Sequence, residues 1–249
     1  MILVTNDDGI DSEGLKALAE ALSEVDEVKV VAPDGERSAI SHALTLHRPL
    51  RVDELEPGWH MVDGTPADCI HLAIKTLLGA EPWLVVAGIN KGANLGDDII
   101  YSGTVAGAVE GVLLGHQAFA ISLAARSDYV FGPAAAFAKK LATFLKSRPL
   151  PPNTLLNVNV PATLYEENPG WRLTTQGQRV YKTEVVLRED PRGQRYYWIG
   201  GQEPGRIEGP NTDLDAVEKG FISVTPLHLD MTAYSLIEEY HRQQARERP

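Results

Sequence analysis

The sequence predicts an α/β protein: a mostly parallel sheet flanked by helices, with a C-terminal β-hairpin arm and a terminal helix. Three observations predict it. Short apolar runs rich in branched residues alternate with segments of helical periodicity through the first two thirds of the chain. A polar, glycine-bearing loop follows each of the first three parallel-strand runs. The alternation then stops, and residues 171–200 become rich in Thr, Val, Tyr and Arg around a Pro191-Arg192-Gly193 turn.

The chain opens on Ile2-Leu3-Val4, too short for a helix, which runs into Asn6-Asp7-Asp8-Gly9. Leu15, Leu18, Ala19 and Leu22 then recur at helical spacing, with Ser12 placed to cap them. Residues 28–33 (VKVVAP) give a second strand, so the chain begins β-α-β, the parallel-sheet unit. Residues 34–42 (DGERSAISH) form a polar loop at its carboxyl end. Residues 44–52 and 59–62 read as a hairpin that turns at Glu56-Pro57-Gly58.

Thr65-Pro66 is a helix start, an N-cap followed by proline, with Cys69, Leu72, Ala73, Thr76 and Leu77 on one face. Residues 84–89 (LVVAGI) predict a third buried parallel strand ending at Asn90, and a long polar loop runs from Lys91 to Ser102. A helix opening at Thr104 packs through Val105, Ala108, Val109, Val112 and Leu113. Residues 119–123 predict a fourth strand, 134–145 an amphipathic helix stopped near Pro149, and 155–160 a fifth strand closed by Pro161. Beyond the arm, 201–220 read as an irregular loop, 221–225 as a further strand and 232–246 as a helix capped by Thr232. A boundary near residue 165 divides a catalytic core, 1–165, from the arm, returning strand and helix of 166–249.

Composition narrows the function. The chain has 249 residues, 43% of them hydrophobic, which is enough for a full core. Its net charge of -11, from 23 basic and 34 acidic residues, argues against non-specific binding of polymeric nucleic acid or an anionic membrane. If it handles phosphate, the positive charge must be local, and a metal ion supplies it. The single cysteine, Cys69, excludes an intrachain disulfide and points to a reducing, cytoplasmic compartment. No apolar run approaches the roughly 20 residues of a membrane span, and no basic leader precedes the first strand.

In an open α/β sheet, ligands bind at the carboxyl ends of the strands. Three such loops carry unusual polar residues: Asn6-Asp7-Asp8-Gly9, Arg37-Ser38, and Asn90-Lys91-Gly92-Ala93-Asn94. Two adjacent carboxylates repel unless something cationic lies beside them. Carboxylates, a hydroxyl and an amide form an all-oxygen set, which suits Mg²⁺, Mn²⁺ or Ca²⁺ rather than zinc or copper. A helix beginning at Thr104 directs unpaired N–H groups and the positive end of its dipole at whatever precedes it. There Gly103 admits an anion closely, and Ser102 and Thr104 can add hydroxyl donors.

With TNDDG at the start, the Arg37-Ser38 loop, GINKGANLGDDIIYSGTVAGA over 88–108 and NTDLDAVEKGFISVTPL over 211–227, the sequence closely resembles the SurE survival-protein family along nearly its whole length. The long glycine-rich motif is the most specific of these. The resemblance implies a Rossmann-like three-layer core and a divalent-metal-dependent 5′(3′)-nucleotidase or acid-type phosphatase acting on nucleoside monophosphates. It implies one Mg²⁺ or Mn²⁺ per subunit held by Asp7, Asp8, Ser38 and Asn90, and phosphate contacts from Asn94, Ser102, Gly103 and Thr104. It also favours a homodimer or homotetramer built through the C-terminal segments.

No Ser/His or Cys/His nucleophile signature appears. The expected mechanism is therefore direct attack by a metal-associated water that Asp8 or Asp7 orients or deprotonates, with a covalent aspartyl-phosphate as the alternative. A haloacid-dehalogenase-type phosphatase requires Asp-x-Asp, whereas these carboxylates are adjacent. A signalling receiver domain requires a phospho-acceptor Asp where Asn90 stands. A non-catalytic nucleotide- or phosphate-binding module is the remaining alternative. Asp97-Asp98 reads as a solvated loop and Cys69 as core. Asp213 is divided evenly between a structural and a catalytic role, and His42 has no assigned role.

Overall fold

Ile2-Leu3-Val4 becomes an inner strand of a nine-stranded sheet, and its alternation of side chains decides the layering. Ile2 and Val4 point into one hydrophobic cluster and Leu3 into another on the opposite face. The structure, a computed structural model, describes residues 1–162, 170–181, 183–201, 205–207 and 209–247.

In chain order the elements are β1 (Ile2–Thr5), α1 (Glu13–Ser23), β2 (Val28–Pro33), β3 (Val52–Glu56), β4 (Trp59–Val62) and α2 (Pro66–Leu72). There follow β5 (Leu84–Lys91), a 3-10 turn (Gly96–Ile100), α3 (Gly103–Leu113), β6 (Gln117–Ala124), α4 (Gly132–Ser147) and β7 (Thr154–Pro161). The rest comprises β8 (Trp171–Leu173), β9 (Gln178–Val180), β10 (Thr183–Glu189), β11 (Arg195–Gly201), β12 (Gly205–Ile207), α5 (Asp213–Glu218), β13 (Ile222–His228) and α6 (Tyr234–Glu247).

The main sheet runs β3-β4-β2-β1-β5-β6-β7-β13-β8. From β4 to β7 every neighbouring pair is parallel. The chain moves outward from β1 through β2 to β4, then returns to β5 and leaves in the other direction. The order therefore reverses between β1 and β5, the switch point at which doubly wound sheets bind ligands. Leucines of α1 and alanines of α4 cover the face of Ile2 and Val4. Residues of α2 and α3, including Ile70, Val105 and Ala108, cover the face of Leu3. The predicted fold class holds, with three layers.

Local chemistry explains the main departures from the sequence-based expectation. Residues 44–51 are not a strand; side-chain bonds such as Thr45 N–H to Asp68 hold them as loop. The strand begins at Val52. Strand β4 pairs with it and also lies parallel to β2, so it belongs to the parallel sheet and is more than half of a hairpin. After Leu72 the second helix widens into a π turn, Ala73–Leu77. The third helix starts at Gly103 with Ser102 as its cap, not at Thr104. On its far end Leu113 is 59% exposed instead of packed. A methyl on Gly107 would come within 2.9 Å of Thr5 Cγ2, so it is the lack of a side chain there that lets α3 lie close on β1.

The arm is shorter than predicted. Only β10 and β11 form the hairpin, while β8 joins the main sheet beside β13 and β9 pairs with β12. Residues 201–220 are not wholly irregular, since they contain β12 and α5. The returning strand β13 runs antiparallel to β7 and so enters the main sheet.

Candidate active site

The turn after β1 is fixed from beneath. The buried Asn6 amide donates to Gly9 O at 2.9 Å and to Ser12 Oγ at 2.8 Å, tying the turn to the cap of α1. Gly9 has φ +98 and a Cβ there would stand 3.0 Å from the Gly35 backbone, so this position requires glycine. The turn therefore presents two successive carboxylates at the switch point.

Asp7 is 6% exposed and faces the N-terminus of α3. The Thr104 hydroxyl donates to Asp7 Oδ1. A Cβ on Gly103 would lie 2.8 Å from Asp7 Cβ and 2.9 Å from Oδ2. Burial pushes the Asp7 carboxyl up from 3.8 to about 6; the Thr104 bond opposes that rise and the Asp8 charge adds to it. Asp8 is half-buried, and its Oδ2 accepts from Lys91 N–H at 3.2 Å. Its pKa is also raised, by burial first and to a lesser degree by the charge of Glu36, against the Lys91 contacts.

The Arg37-Ser38 loop meets the same turn, because Arg37 N–H donates to Asp7 O at 2.7 Å. Ser38 is exposed and its hydroxyl donates to Glu36 Oε1 at 2.6 Å. Asn90 is the next-to-last residue of β5, which pairs directly with β1. Its Nδ2 donates to Gly92 O at 2.9 Å, so the amide's outward-acting atom is the Oδ1 acceptor. Ser102 Oγ caps α3 by accepting from Val105 N–H at 3.1 Å, which leaves its own proton to donate.

Asn94 is placed differently from the rest. It is buried, its Nδ2 donates to Ser122 Oγ at 2.8 Å, and its backbone is held by Asn157 and Asn159. Asp97 and Asp98, expected to be solvated, instead hold Arg179, through its backbone N–H at 2.9 Å and its Nε at 2.6 Å. Asp213 is buried and accepts backbone N–H bonds from Gly96, Gly177 and Leu214, each at 2.8 Å. It anchors the loop between Asn90 and Ser102, a structural role. Cys69 is fully buried, as expected of a core residue.

Glu36 is a neighbour that the sequence motifs do not single out. It lies two residues before Ser38 and adds a third carboxylate to the surroundings of Asp8. Among the described residues no group of three or more His, Cys, Asp and Glu is arranged to hold a metal. A cation here would therefore rest on the Asp7–Asp8 pair completed by neutral oxygens. The pair is chemically suited to one. Two adjacent carboxylates with raised pKa values are relieved by a cation, and oxygen donors match a hard one.

A doubly wound α/β sheet with paired carboxylates at its switch point, facing a helix N-terminus, defines a class: proteins equipped to take an anionic ligand beside a hard cation. The family model described as "Survival protein SurE" matches residues 2–183. The chain belongs to the SurE survival-protein family. It is 56% identical over 237 residues to the 5′-nucleotidase SurE of Geobacter sulfurreducens, covering 94% of this chain and 90% of that protein. It is 54% identical to the 5′-nucleotidase SurE of Myxococcus xanthus, covering 96% and 91%. Among solved structures, the SurE protein from Aquifex aeolicus superposes with a TM-score of 0.87 at 42% identity, covering 98% of this chain and 99% of that one.

Proposed function

We propose that the protein is a metal-dependent 5′-nucleotidase, a phosphomonoesterase that hydrolyses nucleoside 5′-monophosphates, and 3′-monophosphates as well, to nucleoside and phosphate. Relatives at 54–56% identity over nearly the full length carry the name 5′-nucleotidase, which supports the reading. The observation that carries it is the contact of the α3 N-terminus with Asp7 through Gly103, which puts anion-binding backbone beside a carboxylate pair.

In this reading Asp7, Asp8, the Ser38 hydroxyl and Asn90 Oδ1 hold one Mg²⁺ or Mn²⁺ per subunit. When bound, the ion polarises the phosphoryl oxygens and offsets their charge. The first N–H groups of α3, at Gly103 and Thr104, and the Ser102 hydroxyl hold the remaining oxygens. Asn94 retains its bond to Ser122 and turns its second N–H to the phosphate. Thr104 keeps Asp7 oriented through its hydroxyl. Asp8, the more exposed of the pair, orients the attacking water and accepts its proton. The water oxygen bonds to phosphorus as the P–O bond to the nucleoside breaks, the bonding pair leaves on the nucleoside oxygen, which takes a proton from solvent, and Asp8 returns its proton to solvent.

Residues 1–165 supply the chemistry, and 166–249 supply contacts between subunits of a homodimer or homotetramer. The β10–β11 hairpin supports this, since it leaves Val185, Trp198 and Ile199 at 62%, 65% and 80% exposure. Among the described residues no helix is long and apolar enough to cross a membrane, and the single cysteine is a free thiol. Both fit the proposed cytoplasmic location.

The deciding experiment is phosphate release from a panel of nucleoside monophosphates with Mg²⁺, Mn²⁺ or EDTA. Metal-dependent release is expected. Binding without release in every metal would instead identify a non-catalytic module.

A further inference from the structure

Glu110 has no part in this mechanism, yet it is a carboxylate only 4% exposed on α3, the helix whose N-terminus faces Asp7. Burying a carboxylate is costly unless both oxygens are bonded. Here Oε2 meets His42 Nε2 at 2.8 Å and Oε1 meets His71 Nδ1 at 2.9 Å. The His42 bond is the foremost reason that the Glu110 carboxyl is held below its ordinary range, against the opposing effect of burial. His42 is carried by the same loop as Ser38.

That loop is fastened along its length. Arg37 N–H is bonded to Asp7 O, Ser41 N–H to Tyr101 O at 3.0 Å, and Ser41 Oγ to Ile100 O at 2.7 Å. Thr45 is bonded twice to the buried Asp68 of α2, at 2.8 and 2.6 Å. Asp68 also completes the capping box of its own helix. Glu110 has no comparable local duty. Between Ser38 and His42, Ala39 and Ser41 adopt φ 55 and 57. Left-handed backbone at residues with a Cβ is strained and persists only where the flanks are fixed. Without its fastenings this stretch would relax and carry Ser38 with it.

We infer that His42 and Glu110 are positioning residues for Ser38: the buried Glu110 carboxylate latches the loop through His42, so that Ser38 stays beside the Asp7-Asp8 turn. One helix thereby keeps the Ser38 ligand and the phosphate-binding turn in register. The inference rests on the reading of Ser38 as a metal ligand.

The test is calorimetry with Mn²⁺ on the metal-free full-length protein. It compares the parent with Ser38→Ala, His42→Ala, His42→Gln and the double variant Ser38→Ala/His42→Ala. Each alanine variant is expected to bind Mn²⁺ about tenfold more weakly. The double variant should be no weaker than Ser38→Ala alone, because the latch then has no ligand to hold. His42→Gln keeps an N–H near the Nε2 position and should recover most of the affinity. In hydrogen exchange on His42→Ala, the amides of Arg37 and Ser41 should exchange faster while those within α3 do not. If His42→Ala fails to fold, His42→Leu, which fills the space without a donor, takes its place. Additive losses in the double variant, or parental affinity in His42→Ala, would overturn the inference. Asp8→Asn is measured alongside. If Ser38→Ala or Asp8→Asn binds Mn²⁺ like the parent, the ligand assignment fails and the inference falls with it; if both lose affinity while His42→Ala does not, only the latch is wrong.

Discussion

Gly103 stands against Asp7 with no room for a side chain between them. A Cβ added to Gly103 would lie 2.8 Å from Asp7 Cβ, closer than such atoms approach. The end of β1 and the start of α3 therefore touch through bare backbone, and this contact sets how near an anion held by the helix comes to the carboxylate pair. Gly103→Ala must push either the helix or Asp7 away, and overpacking of this kind costs about 1–3 kcal/mol. The expected outcome is a folded protein whose kcat/KM falls about a hundredfold, since a displacement of about 1 Å at a reacting centre costs that much. Inorganic phosphate should compete strongly in the parent and weakly in the variant. Unchanged kinetics and unchanged phosphate inhibition would remove Gly103 from the site.

Asp7 also makes the metal-free protein pH-sensitive. Its carboxyl titrates near 3.8 when unfolded and is pushed up to about 6 when folded. Between those values the folded state binds more protons, so the Asp7 contribution is most favourable below pH 4 and is lost as pH rises through about 6. The interval corresponds to about 3 kcal/mol as an upper bound. Asp8 is shifted in the same direction. The lowered carboxyls of Asp26 and Glu110 act oppositely, contributing stability that is lost as pH falls below their ordinary values. The difference between the parent and Asp7→Asn isolates Asp7. In EDTA, thermal melts at pH 4 should nearly coincide, and at pH 7 the variant should melt higher. A variant that melts lower at pH 7 would contradict this account.

Thr104 gives the sharper test of what keeps Asp7 ionisable. Its hydroxyl donates to Asp7 Oδ1, and that bond is the chief influence lowering the Asp7 pKa against burial. Thr104→Val keeps the shape and removes the donor, so the Asp7 carboxyl should titrate higher still. Thr104→Ser keeps the donor and should not shift it. Carbon-detected NMR titration of the metal-free protein would follow the carboxyl directly. Equal titration in the three proteins would show that the bond has no such effect.

Much of the fold is legible in the sequence because parallel strands buried on both faces read as continuous apolar runs, as in residues 84–89. Ser12 and Thr65 likewise announce helix starts through cap chemistry that depends only on neighbours. The departures lie where tertiary contacts decide. Nothing local tells residues 44–51 that Asp68 will hold Thr45 out of a strand. Trp59–Val62 is amphipathic enough for a hairpin, and its parallel pairing with β2 is visible only in the sheet. Asp7 and Asp8 stand out by adjacency, a local signal. The burial that raises their pKa values, the commitment of Asn94 to Ser122, and the pairing of Glu110 with His42 across 68 positions all depend on the assembled layers.

The β10–β11 hairpin is a two-stranded ribbon outside the main sheet. Its register places Val186 opposite Trp198 and Leu187 opposite Tyr197, so apolar side chains occur on both faces of a two-stranded ribbon. Such a ribbon is marginal alone in water, and its edges invite pairing. Tyr197, Trp198 and Ile199 are 62%, 65% and 80% exposed, so within one subunit much of their apolar surface stays in water. Covering it favours association by about 25 cal/mol per Å², and a second copy of the chain is the simplest partner. Replacing residues 183–201 by a short Gly-Ser linker leaves the nine-stranded sheet its own strands, since the hairpin forms a separate sheet. The parent is expected to run as a dimer or tetramer in light scattering at micromolar concentration, and the variant as a smaller species with an unchanged far-ultraviolet core signal. A parent of 27.2 kDa would refute assembly altogether. An oligomer that survives the replacement unchanged would move the interface elsewhere, with the exposed Leu236 and Ile237 of α6 the next surface to test.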